Sequence, residues 1–360
     1  MDPAAGEMGG STGSSASGEL DRASGALYGL AVGDALGMPT QLMTRAQVVA
    51  RYGSRLVRFE PAGADHPIAA GLAAGTVTDD TEQAVLLAEL LVAGGGRVDP
   101  SDWARALAEW EADMVRRGSD DLLGPSTRRA LRAVEAGVSP HEAGATGDTN
   151  GAAMRIAPVG VMMPVEDLGD LDALVAAVVE VSRVTHGTDV ALAGACAVAA
   201  AVSAGVSGAG VTEACDLATT VCARAAALGR ATGAPPLESL IRSAREVALA
   251  GPPDGAAEVI EGRIGTGLAT VESVPAAFAV LAVHADDPWA ACLTAASLGG
   301  DSDTIAAVVG AVAGACHGAS RLPSEARELV ASVNGLRLEP LAARLLELRR
   351  THLPDPGEPP

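Results

Sequence analysis

Gly25, Gly29, Gly33 and Gly37 stand four residues apart in a segment that otherwise reads as helix, and Gly310, Gly314 and Gly318 repeat the interval near the other end of the chain. Residues four apart share one face of an α-helix. Each set therefore forms a stripe without side chains, along which a second helix can approach closely. The rest of the composition agrees: 48% of residues are hydrophobic but only 2% are aromatic, so Ala, Val, Leu and Gly must build the interior. Strands favour aromatic and β-branched residues in alternation, and few such stretches occur. The expected fold is all-α, a single compact orthogonal bundle of roughly a dozen or more helices.

A length of 360 residues allows one large domain or two small ones. No linker-like stretch divides residues 19–350, which are expected to form one domain. Residues 1–18, rich in Gly, Ser and Ala, are expected to be disordered, and residues 351–360 to be a loose Pro-rich tail. Residues 52–74 read as a long loop, and residues 82–93, 99–114, 188–204 and 303–319 as helices.

The formal net charge of −20 comes without a basic patch that could track nucleic acid. The five cysteines are odd in number and form no CxxC, which fits reduced core thiols in a cytoplasmic protein. The first twenty residues contain no apolar run like that of a secretion signal. The apolar stretch 190–206 is dominated by Ala and Gly and is expected to be a buried helix rather than a membrane span.

Two short acidic motifs recur at expected helix starts: TDDT at residues 78–81 and GGDSDT at residues 299–304. One Asp at a helix start is ordinary capping. Two within a turn repel each other, and repeating the arrangement suggests that something positive holds them. If the two helix starts face each other, Asp79, Asp80, Asp301 and Asp303 converge with the hydroxyls of Thr78 and Thr304. Two divalent cations would balance that charge, and hard oxygen ligands suit Mg2+ or Mn2+. Such a pair can activate a water and polarise a substrate oxygen.

Other motifs are open to two readings. His186 in THGTD could cap a carbonyl or donate to a substrate. TNGAAMR at residues 149–155 is an ordinary turn or a loop offering backbone N–H groups to phosphate or sugar oxygens. LGPST at residues 123–127 is most simply an N-cap with proline, and GDALGMP at residues 33–39 a helix ending.

In combination, GALYGLAVGDALGMPTQ, TDDT, TNGAAMRIAP, THGTD and GGDSDTIAAVVGAVAGACHG, in that order over residues 20–320, resemble the ADP-ribosylglycohydrolase family. That family includes dinitrogenase-reductase-activating and ADP-ribosylarginine hydrolases, and the wording here looks closer to a bacterial branch. The resemblance implies an all-α fold and a binuclear Mg2+ or Mn2+ site held by Thr78, Asp79, Asp80, Asp301, Asp303 and Thr304. It implies that Asp80 and Asp301 take the catalytic part, fixing the metals and polarising a water. Gln41, Ser126, Thr149, Asn150, Gly151, Met154 and His186 fall at its substrate-pocket positions. Two positions depart from many relatives: Gln41 stands where they carry Glu, and Thr149 where they often carry Gly.

The expected activity is hydrolysis at the anomeric carbon of an ADP-ribosyl group joined to a protein or small molecule. The alternatives are hydrolysis of a small riboside or nucleoside at the same site, and an ADP-ribose-binding module without turnover. Neither nucleic acid nor a membrane is an expected partner.

Overall fold

The computed structural model describes residues 11–118, 123–165 and 168–352. Among them the regular elements are helices, joined by turns and by two single bridges, Thr149 with Ala269 and Thr188 with Arg230. In chain order, α1 (Ser11–Gly37) and α2 (Arg45–Tyr52) precede an irregular stretch that lasts to residue 78. Next come α3 (Asp79–Ala93), α4 (Pro100–Arg117), α5 (Pro125–Glu135) and the single turns α6 (Pro140–Ala143) and α7 (Gly151–Met154). Then follow α8 (Ala157–Met162), α9 (Leu168–Arg183), α10 (Asp189–Val206), α11 (Val211–Ala226) and α12 (Leu237–Leu249). The chain closes with α13 (Ala256–Arg263), α14 (Thr270–Val283), α15 (Pro288–Ala296), α16 (Ser302–His317), α17 (Ser324–Asn334) and α18 (Leu338–His352).

Local chemistry sets several of these boundaries. Asp99 caps α4 by accepting from Ser101 and Asp102, with Pro100 in the first turn, and Gly118 ends the helix in the left-handed conformation. Thr188 caps α10 through the backbone N–H of Ala191. Both ends of the chain need correction. The expected disordered tail reached Gly18, but α1 begins at Ser11; Ser and Ala extend a helix that the apolar face from Ala23 onward anchors. Residues 351–352 belong to α18, and residues 1–10 and 353–360 lie outside the described residues.

α10 is long and apolar enough to cross a membrane, yet 94% of it is buried inside the molecule, so it serves as a core helix. Cys196, Cys215, Cys222 and Cys292 are buried and Cys316 half-buried, all as free thiols.

α1 and α16 meet along the glycine stripes. A Cβ added to Gly25 would stand 2.1 Å from the carbonyl oxygen of Gly314, one on Gly29 2.0 Å from that of Gly310, and one on Gly33 1.9 Å from that of Ala306. No Cβ fits at such distances, so the two backbones touch. The rising numbers on α1 pair with falling numbers on α16, which makes the helices antiparallel. The C-terminal end of α1 therefore lies against the N-terminal end of α16, where Gly37 packs on the backbone of Asp303. Gly318 ends α16 with φ at 89° and faces the Asp21 side chain of α1 rather than its backbone.

Candidate active site

The seam brings Asp34, on the last turns of α1, beside the acidic start of α16. Asp34 is fully buried and its carboxylate accepts from four donors. Its Oδ2 accepts from the backbone N–H groups of Thr78 (2.9 Å) and Thr81 (3.1 Å) and from the Thr81 hydroxyl (2.5 Å). Its Oδ1 accepts from the Thr78 hydroxyl at 2.7 Å. One carboxylate thus ties the TDDT segment to α1 and occupies the donors at the start of α3. Thr78 is the N-cap of α3, but its side chain caps nothing, being turned to Asp34.

Asp301 stands at the N-cap of α16, and it too makes no side-chain cap. Its Oδ2 accepts from Asn150 Nδ2 at 2.5 Å, and its backbone N–H donates to Thr266 O at 2.6 Å. The two glycines before it are required: Gly299 and Gly300 have φ of 75° and 66°, and a Cβ on Gly300 would stand 2.2 Å from Thr266 O. Leu42 and Gly300 share the turn, with Leu42 N donating to Gly300 O and Gly300 N to Met43 O. Leu42 is held at φ 61°, the one described non-glycine residue with a positive φ. Strain of this kind persists where surrounding contacts enforce it, often beside a functional site.

Asp34, Asp79, Asp80, Asp301 and Asp303 are all buried. Burial pushes the carboxyls of Asp34 and Asp301 up to about 6, although their hydrogen-bond donors pull the other way. Asp79, Asp80 and Asp303 rise well above the usual range, first through burial and then through repulsion from neighbouring carboxylates. Arg155, itself buried, is the cation that bears on Asp79. Asp80 Oδ1 and Asp303 Oδ1 are buried with no hydrogen-bond partner. Lone pairs left bare beside other acids are what a set of hard oxygen ligands for a cation looks like. Among the described residues no group of three or more acidic, imidazole or thiol side chains is placed to hold a metal ion.

Asp79, Asp301 and Asp303 line a cavity of about 150 Å³. Of the residues expected at the site, Gln41, Asp79, Thr149, Asn150, Gly151, Met154, Asp301, Asp303 and Thr304 line it. Thr78 and Asp80 lie in the buried network behind. Two pocket residues need correction. Ser126 is buried in α5 and receives a hydrogen bond from Arg129, while its neighbour Thr127 faces the cavity. His186 is fully buried one layer back, reaching the wall only through Thr149 Oγ1 at 3.0 Å. Its ring fills the space beside Gly151, where a Cβ would stand 2.8 Å from His186 Cε1. Gln41 is buried, and its Nε2 has no partner.

Sequence reading missed Asp34, Arg155, Gln83 and Thr127. Asp34 is in GDALG, a motif that looks like a helix ending until α3 is docked on it. Arg155 closes TNGAAMR, where a lone arginine gives no sign of being buried.

The chain matches the ADP-ribosylglycohydrolase family over residues 15–354. It is 33% identical over 333 residues to the uncharacterized protein YegU of Escherichia coli (strain K12), covering 92% of this chain and 98% of that protein. It is 30% identical over 325 residues to the ADP-ribosylarginine hydrolase Tri1 of Pseudomonas putida (strain GB-1), covering 87% of this chain and 75% of Tri1. A solved ADP-ribosylglycohydrolase-related protein complex contains a similar chain, with a TM-score of 0.63 and 26% identity, covering 94% of this chain and 100% of the other. By sequence and by architecture this chain belongs to the ADP-ribosylglycohydrolase family, hydrolases of glycosidic ADP-ribosyl linkages.

Proposed function

We propose that the protein hydrolyses the bond at the anomeric carbon of an ADP-ribosyl conjugate with the help of two divalent cations, Mg2+ or Mn2+. The observation that carries this reading is the pair of buried, unpartnered oxygens, Asp80 Oδ1 and Asp303 Oδ1, in a five-carboxylate cluster. Thr78, Asp79, Asp80, Asp301, Asp303 and Thr304 would hold the cations. Bound there, the cations supply the charge that offsets the carboxylates and the Lewis acidity that activates a water.

The chain's own residues have distinct tasks. Asp34 keeps the TDDT segment against α1, so that Asp79 stays on the cavity wall with Asp80 behind it. Asn150 holds Asp301 by its Oδ2, and the Thr304 hydroxyl bonds the same carboxylate. The hydroxyl of Thr149 and the amide of Gln41 border the cavity, where sugar hydroxyls would lie. Burial keeps bulk water away while positive charge develops at the anomeric carbon, as in other glycosidases.

A second reading, a small riboside or nucleoside as substrate, is favoured by the cavity itself. At about 150 Å³ it has room for a pentose and little more, and neither Lys nor Arg lines it to meet a diphosphate. One panel separates the two: ADP-ribosylated protein, ADP-ribosyl small molecules and simple ribosides, each assayed with Mg2+, with Mn2+ and with chelator. Turnover is expected to vanish with chelator and return with metal. Asp80→Asn and Asp303→Asn are each expected to lower it by at least about a hundredfold, because metal-site elements act as a unit. Full turnover in chelator would remove the metals from the reading. Turnover of ribosides alone would establish the second substrate class.

A further inference from the structure

Arg155 is less than 2% exposed, and its guanidinium lies 5.2 Å from the centroid of the buried Trp103 ring. It does not line the cavity. Its Nη1 donates to Gln83 Oε1 and its Nη2 to Thr185 Oγ1, both at 2.5 Å. Gln83, Thr185 and His186 are fully buried. From this arrangement we propose that Arg155 is a positioning residue that sets the direction of hydrogen bonding on both walls of the site. The inference rests on the glycosidase reading above only where it speaks of substrate and metal.

The argument follows from what each group can donate. Arginine has no acceptor, so the Gln83 atom facing it must be the amide oxygen. The amide nitrogen then faces Asp79, at 3.3 Å from Oδ2. That wall receives a donor aimed at a carboxylate of the acidic cluster. On the other wall, Thr185 Oγ1 spends a lone pair on Arg155 and keeps one hydrogen. The remaining partner that the structure places beside this hydroxyl is His186 Nδ1, at 2.7 Å. A second lone pair could accept from the ring, but the buried hydroxyl hydrogen would then have no partner, so His186 Nδ1 accepts and its hydrogen sits on Nε2. Nε2 donates to Thr149 Oγ1 at 3.0 Å. Thr149 accepts from behind, so its own hydrogen points elsewhere, and Thr149 is on the cavity wall. The cation thus makes Thr149 a donor toward whatever the cavity holds.

Burial, together with Arg155 and Arg129, keeps the His186 imidazole neutral, as this chain of bonds demands. Without the cation, Thr185 could donate or accept, Gln83 could flip, and neither wall would have a defined polarity.

The test uses the full chain with 15N-labelled histidine, and the His186 signal is assigned by its loss in His186→Gln. In metal-free wild type, His186 is expected as the Nε2–H tautomer. Thr185→Val keeps shape and removes the hydroxyl. It should redistribute the tautomer and lower kcat/KM by about tenfold to a hundredfold, while calorimetric affinity for Mn2+ stays unchanged. Gln83→Met should do the reverse, weakening Mn2+ by about tenfold and leaving the His186 tautomer alone. Arg155→Met should show both effects. If it does not fold, the two single-arm variants carry the test. An Nδ1–H or doubly protonated His186 in wild type overturns the inference. So does a Thr185→Val protein with wild-type tautomer, or loss of both readouts together in each single-arm variant. If no conjugate is turned over or no Mn2+ binds, the function reading fails by itself, and the tautomer measurement still decides this one.

Discussion

Gln41 and Asp34 show how much one buried side chain can decide. Gln41 has the shape of a Glu, but it offers an amide that is buried with its nitrogen unpartnered. It cannot accept a proton from water at this position. Gln41→Glu adds a sixth acid to the cluster, so it is expected to tighten Mn2+ binding and to shift preference within the substrate panel toward protein-linked ADP-ribose. Identical metal affinity and identical preference in both proteins would show that the position does not govern the chemistry. Asp34 is the opposite case, an acid whose oxygens are all engaged. Asp34→Asn turns an NH2 group toward the Thr78 and Thr81 donors. The loss is expected to be about 1–3 kcal/mol in denaturant unfolding, with weaker Mn2+ binding besides. Relief of repulsion acts the other way, because Asp34 raises the carboxyls of Asp79, Asp80 and Asp303. A more stable Asp34→Asn protein would mean that repulsion outweighs those hydrogen bonds.

At the scale of elements, the contact between α1 and α16 carries the site. Gly310→Ala places a Cβ 1.9 Å from Gly29 O, so the helices must part. A loss of about 1–3 kcal/mol or more is expected, with activity falling as Asp34 and Asp303 separate. Gly262→Ala in α13 meets nothing within 4 Å and should be neutral or stabilising by up to about 1 kcal/mol. Equal effects from the two changes, measured by chemical denaturation, would argue against close backbone packing as the reason for the stripes. Both stripes were legible in sequence because a spacing of four needs only one dimension. Their pairing was not, since nothing local says which stripe meets which. The same limit hid Asp34 and Arg155, whose roles exist only after distant helices dock. Ser126 and Thr127 were confused because adjacent helix positions face about 100° apart, and the angle of α5 to the cavity is a tertiary fact. The tail was drawn too long because Ser and Ala resemble disorder in composition yet extend a helix that is already anchored.

For the molecule as a whole, the acids are a liability until they are neutralised. Their carboxyls sit higher in the folded chain than the reference of 3.8, near 6 for Asp34 and Asp301. The folded state therefore holds more protons than the unfolded state between those values. Its stability is greatest below about pH 4 for this contribution and is lost as pH rises through 6. In chelator, the melting temperature is expected to be higher at pH 5 than at pH 7.5. Mn2+ should raise it most at pH 7.5, where it does not compete with protons. A flat profile in chelator would count against the buried acidic cluster. The seam between α1 and α16 has one more result, concerning synthesis. A ribosome releases Asp34 early and Asp303 near the end, with most of the domain made between them. The bare glycine face of the first helix has no partner until the late helix emerges, and the late acids have no site to join. A nascent chain therefore cannot assemble the acidic cluster piecemeal. Any chain cut short before α16 leaves the glycine face of its first helix without the partner it packs on.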